Sequence, residues 1–193
     1  MKKIFVVIAY ICLLLPGVMG AQDISGLSAR WSDSFVEWDL YGLIGDDPEE
    51  AREERVGHLQ LRWLNLKDDF SEWEYQCGDQ RGSIRLKWKD DPNHWELRTF
   101  DNEMITMWTL FKGDLRQWRV TNNDFSLELR SRWQNQVDEW LVEDRARGIF
   151  YIYTLHERDP RDWVIDDRLS GEVSLAMRMA LAFLAVFHGS PRM

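Results

Sequence analysis

Cysteine is almost absent: the 193-residue chain has two. Cys12 lies inside an N-terminal apolar run, and only Cys77 remains beyond it. One thiol cannot close an internal disulfide, so the fold must stand on packing. The plain reading of Cys77 is a small buried hydrophobe. Patterned metal ligands are also lacking. His58, His94, His156 and His188 are scattered, with no His-Glu-x-x-His and no paired cysteines. There is no Gly-x-Ser-x-Gly elbow and no glycine loop to cradle phosphate. The sequence therefore assigns no catalytic residue, no metal and no cofactor.

Basic charge is short as well, with 24 Lys and Arg against 33 Asp and Glu and a net charge of −9. Nucleic acid demands a basic stripe, so it is excluded as an expected partner. The same balance argues against an anionic membrane surface held by charge alone.

Long apolar runs are limited to Ile4–Leu15, twelve residues that follow Lys2 and Lys3 and precede Pro16-Gly17. As a helix they span about 18 Å, too little for a ~30 Å hydrocarbon core. With Gly20 before a plausible cleavage point, residues 1–20 read as a secretory signal peptide. Ile11 before Cys12 argues against a lipoprotein signal. Cleavage leaves residues 21–193 as a single exported domain of net charge −11, periplasmic or extracellular, with no stable membrane span.

Tryptophan is abundant instead: 11 residues. Trp73, Trp95, Trp118, Trp140 and Trp163 follow one another at intervals of 22, 23, 22 and 23. Trp38 stands 35 before Trp73, and Ser34-Phe35-Val36-Glu37-Trp38 matches Asp69-Phe70-Ser71-Glu72-Trp73. Six units follow, the first with an insertion around Asp46 to Arg55.

Within each unit apolar residues alternate with polar ones, as in Trp73, Tyr75, Cys77 against Glu74, Gln76. That period belongs to a half-buried strand. A second alternating run follows about ten residues on, including Leu59, Leu61, Trp63 and Ile84, Leu86, Trp88. Gly78-Asp79, Asp101-Asn102, Asn122-Asn123-Asp124 and Arg147-Gly148 separate the two runs as turns. Each unit is one β-hairpin. The fold class is an all-β antiparallel meander of about twelve strands, closed as an up-and-down barrel or strongly curled, with the six repeated tryptophans inside.

The sixth hairpin asks for a strand near Val173 to Met177. Beyond it, residues 176–187 suit a strand by alternation and a helix by their Ala, Met and Leu content.

The acidic pairs Asp46-Asp47, Asp68-Asp69, Asp90-Asp91 and Asp166-Asp167 fall in turns, where Asp bonds locally. The last third is apolar on both faces. Strands in sequence order predict Leu141, Phe150, Ile152 and Val164 as neighbours on the outer face, extended by Ile105 and Met107. That patch is the expected ligand or partner site. Trp31 and Trp108, outside the repeat register, are the candidate aromatic platforms. The resulting expectation is an exported, non-enzymatic module that binds an apolar small ligand or a protein partner, a second copy of the chain included. A carbohydrate-binding module using exposed tryptophans is the alternative.

Overall fold

The computed structural model describes residues 24–45, 51–64 and 69–191. The expected signal peptide lies outside these residues. Twelve strands run in order: β1 (Ile24–Trp31), β2 (Ser34–Ile44), β3 (Arg52–Leu61), β4 (Glu72–Cys77), β5 (Gln80–Leu86), β6 (His94–Thr99), β7 (Met104–Thr109), β8 (Gln117–Thr121), β9 (Ser126–Ser131), β10 (Glu139–Asp144), β11 (Gly148–His156) and β12 (Asp159–Leu169). Each pairs antiparallel with its sequence neighbours, and β1 pairs with β12 to close the barrel. Closure removes both sheet edges. The remaining element is helix α1 (Leu175–Gly189).

Alternation dictates what faces inward. Trp73 lies opposite Leu61 and Ile84, Trp95 opposite Leu86 and Met107, and Trp140 opposite Ser131 and Ile152. The six repeated tryptophans are all buried. Each indole N–H donates to the carbonyl three residues back: Phe35, Phe70, Pro92, Leu115, Val137 and Pro160. The bond satisfies the one polar atom that burial of tryptophan would otherwise strand. It also folds the turn ahead of β4, β6, β8 and β10 the same way, and recurs inside β2 and β12.

The residue before that carbonyl completes the device. Asp69, Asp91, Asp114 and Asp159 each accept the backbone N–H two residues on, from Ser71, Asn93, Arg116 and Arg161. Asp69 and Asp91 thus serve turns, as turn chemistry implied; Asp166-Asp167 instead lies inside β12, and Asp46, Asp47 and Asp68 lie outside the described residues. At the other end of the barrel, Gly78, Asn102, Asn123 and Gly148 take positive φ, where Gly and Asn are favoured.

The sixth unit differs from expectation. Val173–Met177 supplies no strand. The partner of β12 is β1, from the far end of the chain, so the repeat closes as a circle cut between its two last strands. With no edge left, the C-terminal segment turns inward as α1. Ser174 caps it by accepting from Met177 N at 3.2 Å. Every residue from Ala176 to Phe187 is buried. A helix apolar all round belongs in a core. Its alternation of large and small residues, strand-like on paper, fits it to a closed wall on every side. Fifteen residues give about 22 Å of helix, matching six-residue strands of about 20 Å.

Candidate functional site

The six residues of the expected outer patch do not share a face. Phe150 lies opposite Val142, and Ile152 opposite Trp140, so both point inward. Ile105 and Met107 are likewise fully buried inside, opposite Leu97 and Trp95. Only Leu141 and Val164 face outward, and both are half-buried. The correction is one of parity: with Trp140 inward, Leu141 must face out, and its cross-strand neighbour is Tyr151, not Phe150. The interior that might have held an apolar ligand is occupied by α1. Phe183 and Phe187 meet Trp73 and Trp95 at centroid distances of 4.9–5.9 Å, mostly edge-on. His188 stacks on Trp118 at 5.0 Å.

The exposed apolar side chains lie elsewhere: Leu43, Ile44 and Phe100 at one end of the barrel, the others at the opposite end. Six connections share the end of the barrel where α1 emerges: β1–β2, β3–β4, β5–β6, β7–β8, β9–β10 and β11–β12. Beside or within them stand Trp31, Trp63, Trp88, Phe111, Trp133 and Leu155, with Leu64 as a second exposed side chain next to Trp63. All seven are between 44% and 63% exposed. Trp31 is therefore the accessible aromatic that the sequence suggested. Trp108 is not core: it lies on the outer wall between His94 and Arg119, half-buried.

Two of these tryptophans are clamped by a glutamate, and a third, Trp133, lies under a guanidinium. Glu37 accepts from both Arg30 and the Trp31 indole, the latter at 2.6 Å. Glu72 does the same for Arg62 and Trp63, with the indole at 2.9 Å. Glu139 accepts from Arg132 at 3.0 Å and from Tyr151, beside Trp133. The guanidinium groups of Arg62 and Arg132 cover their indoles at 5.0 and 5.1 Å. Burial opposes ionisation of Glu139, but hydrogen bonds from Tyr151, Trp133 and Arg132 outweigh it and hold the carboxyl below its usual range. Each clamping glutamate immediately precedes an inward tryptophan, so one strand start fixes both rings.

Trp88 and Phe111 lack this clamp and sit in twin turns. In Trp88-Lys89-Asp90-Asp91 and Phe111-Lys112-Gly113-Asp114 the last N–H donates to the first carbonyl, at 3.2 and 3.0 Å. Positive φ at Asp90 and Gly113 marks type II geometry and puts each lysine at the turn corner. Asn93 joins the two turns, its Oδ1 accepting from Gly113 N at 3.0 Å and from Thr109 Oγ1 at 3.2 Å. Asp91 in turn accepts from the side-chain amide and backbone N–H of Asn93 and pairs with His94 Nδ1 at 2.9 Å. These bonds pull its pKa down to about 2.

Next to the first twin turn opens a cleft of about 600 Å³. Phe70, Leu86, Trp95 and Phe187 give it an apolar lining that reaches the helix. Asp69, Ser71, Glu72, Arg85, Lys89 and Asp90 line it as well.

Sequence alternation misplaced Trp63 and Trp88, because it runs two residues past the ends of β3 and β5. A usable signal was present. Every exposed tryptophan follows a cation, as in Arg30-Trp31, Arg62-Trp63, Lys87-Trp88 and Arg132-Trp133, whereas the inward six follow Glu, His, Gln or Asp. Comparison with known protein families, with curated proteins and with solved structures finds no match for this chain.

Proposed function

We propose that this chain is an exported, non-enzymatic binding module that takes an apolar ligand at the end of the barrel where α1 emerges. The observation that carries the reading is the cleft lined by Phe70, Leu86, Trp95 and Phe187, beside exposed Trp88. The barrel interior itself is filled by the chain's own helix, so the ligand site moves to this mouth. Export rests on the signal-like residues 1–20. The non-enzymatic reading is supported by the use of Asp69, Asp91, Asp114 and Asp159 as turn acceptors.

Native mass spectrometry of residues 21–193 with a long-chain fatty acid as probe tests the reading. A one-to-one complex is expected, weakened at least tenfold (about 1.4 kcal/mol) by Leu86→Lys, which puts charge into the lining. A bare monomer at all probe concentrations would refute it. A second reading, carbohydrate binding, is favoured by the clamped indoles of Trp31 and Trp63, since a fixed ring is a ready stacking platform. A glycan array positive for the wild type and negative for Trp63→Ala would favour that reading instead.

A further inference from the structure

We infer that a groove on the outer wall of β3, β4 and β5 binds an oxyanion, a carboxylate or a phosphate, carried by a ring-bearing ligand. The inference stands apart from the apolar-ligand reading, because the cleft at the mouth of the barrel shares no lining residue with this groove.

Strand register builds the groove, which holds about 350 Å³. His58, Gln76 and Arg81 form one cross-strand row over the three strands. They face outward because Leu59, Tyr75 and Ile84 face in. Ser83 stands in the next row, between Glu74 and Arg98.

Donors outnumber free acceptors in the lining. The side chains of His58, Arg81 and Ser83 make no hydrogen bond or ion pair among the described residues. Glu74 is the one carboxylate of the lining, and Arg62 Nε already holds it at 3.1 Å. An incoming oxyanion therefore meets the planar fork of Arg81, the Ser83 hydroxyl and the His58 ring without displacing a protein partner.

Local charge points the same way. The chain is acidic on average, yet the lining carries two guanidinium groups, Arg62 and Arg81, against Glu74. Arg98, opposite Ser83, makes no ion pair among the described residues. Asp39, which faces His58 from β2, is shared by Arg30 and Arg55, each at 2.8 Å. Burial, then Arg30 and Arg55 with Arg81, push the pKa of His58 down against Asp39. Asp79 and Asp101 belong to the flanking turns, and neither lines the groove nor pairs with Arg81. At physiological salt, exposed charges more than about 8 Å away are largely screened, so the local surplus decides.

Phe100 adds an apolar wall. It is 79% exposed, the most of any large apolar side chain described. Its N–H donates to the Arg81 carbonyl at 3.0 Å, which keeps the ring beside the groove it lines. A ring held next to a free guanidinium suits a ligand whose own ring adjoins its oxyanion.

Amide NMR titration of residues 21–193 with benzoate and with phenyl phosphate tests the inference and separates the two anions. Saturable shifts of the Gln76, Arg81, Ser83 and Phe100 signals are expected with at least one probe. Arg81→Gln should weaken binding at least about tenfold, and Phe100→Ala about threefold. Glu74→Gln removes the competing carboxylate and frees Arg62, so it should tighten binding about threefold. All three variants alter outward side chains, and thermal unfolding verifies that they fold. Absence of shifts with both probes would overturn the inference, as would equal affinity in the wild type and Arg81→Gln. Failure of the fatty-acid complex would refute the apolar-ligand reading and leave this site standing.

Discussion

Arg178 Nε donates to the Asp167 carboxylate at 2.6 Å, and both side chains are about 95% buried. The same guanidinium donates to the carbonyls of Val173, Leu169 and Ser170. These carbonyls lie where the chain leaves the wall and turns into the barrel, and Ser170 O also accepts from Val173 N at 3.1 Å. One arginine reaches all three and neutralises the carboxylate beside them. Asp167 also accepts from Leu169 N at 2.9 Å. The pair ties the start of α1 to the wall.

Breaking that pair leaves a buried charge alone. Arg178→Ala should cost about 3–5 kcal/mol, read as a shift in the urea midpoint. Arg178→Met with Asp167→Asn removes the orphaned charge and should recover part of the loss. Equal destabilisation by the single and double variants would show that the carbonyl bonds, not the ion pair, dominate.

The inward and outward tryptophans should respond oppositely to truncation. Trp118 is fully buried, stacks with His188 and donates to Leu115 O at 2.8 Å. Trp118→Ala should cost about 3–5 kcal/mol, or about 10 °C in Tm. Trp88→Ala removes an exposed ring and should change Tm by no more than about 2 °C, as surface substitutions do. Differential scanning calorimetry on the two variants separates the classes.

The contrast explains what the sequence could reveal. The repeat of Trp73, Trp95, Trp118, Trp140 and Trp163 reports inward positions because each points into the barrel and bonds the carbonyl three residues back, and burial forces the residue type. Strand number, hairpin order and the inward ring follow from that spacing alone. Closure was harder to read. The partner of β12 is β1, and pairing of the chain's two ends leaves no local pattern. The fate of residues 176–187 depended on that closure, because only a sealed wall excludes a further strand. The outer patch failed through a one-residue error of parity at Leu141 and Phe150, which reverses every side chain concerned. Trp88 and Phe111 lie just beyond strand ends, where alternation no longer governs direction.

Acid should weaken the turns in a defined window. Hydrogen bonds from Arg161 hold the Asp159 carboxyl down at about 2, against about 3.9 in an unfolded chain. The folded value is the lower one, so the unfolded state binds the proton first. The contribution of Asp159 is complete above about pH 4 and is lost as pH falls through 2. Asp159→Asn keeps an acceptor for the turn but cannot titrate. Its stability should therefore fall less steeply between about pH 4 and 2 than that of the wild type. Parallel slopes in pH-dependent urea unfolding would assign the acid sensitivity elsewhere.

Gly189 closes the helix against the tryptophan ring. A Cβ there would lie 2.4 Å from Trp163 Cη2 and 2.6 Å from the carbonyl oxygen of Val137. The indole cannot easily retreat, because its N–H is bonded to Pro160 O at 2.9 Å. The Val137 carbonyl is equally fixed, since it accepts from Trp140 at 2.8 Å. Gly189→Ala should therefore destabilise by about 1–3 kcal/mol, although alanine is the better helix former. Hydrogen exchange should locate the damage in the last turn of α1, around Phe187 and His188, rather than at Arg178. A neutral or stabilising effect would mean that the final turn can lift from the ring without cost, and would loosen the cleft that Phe187 lines.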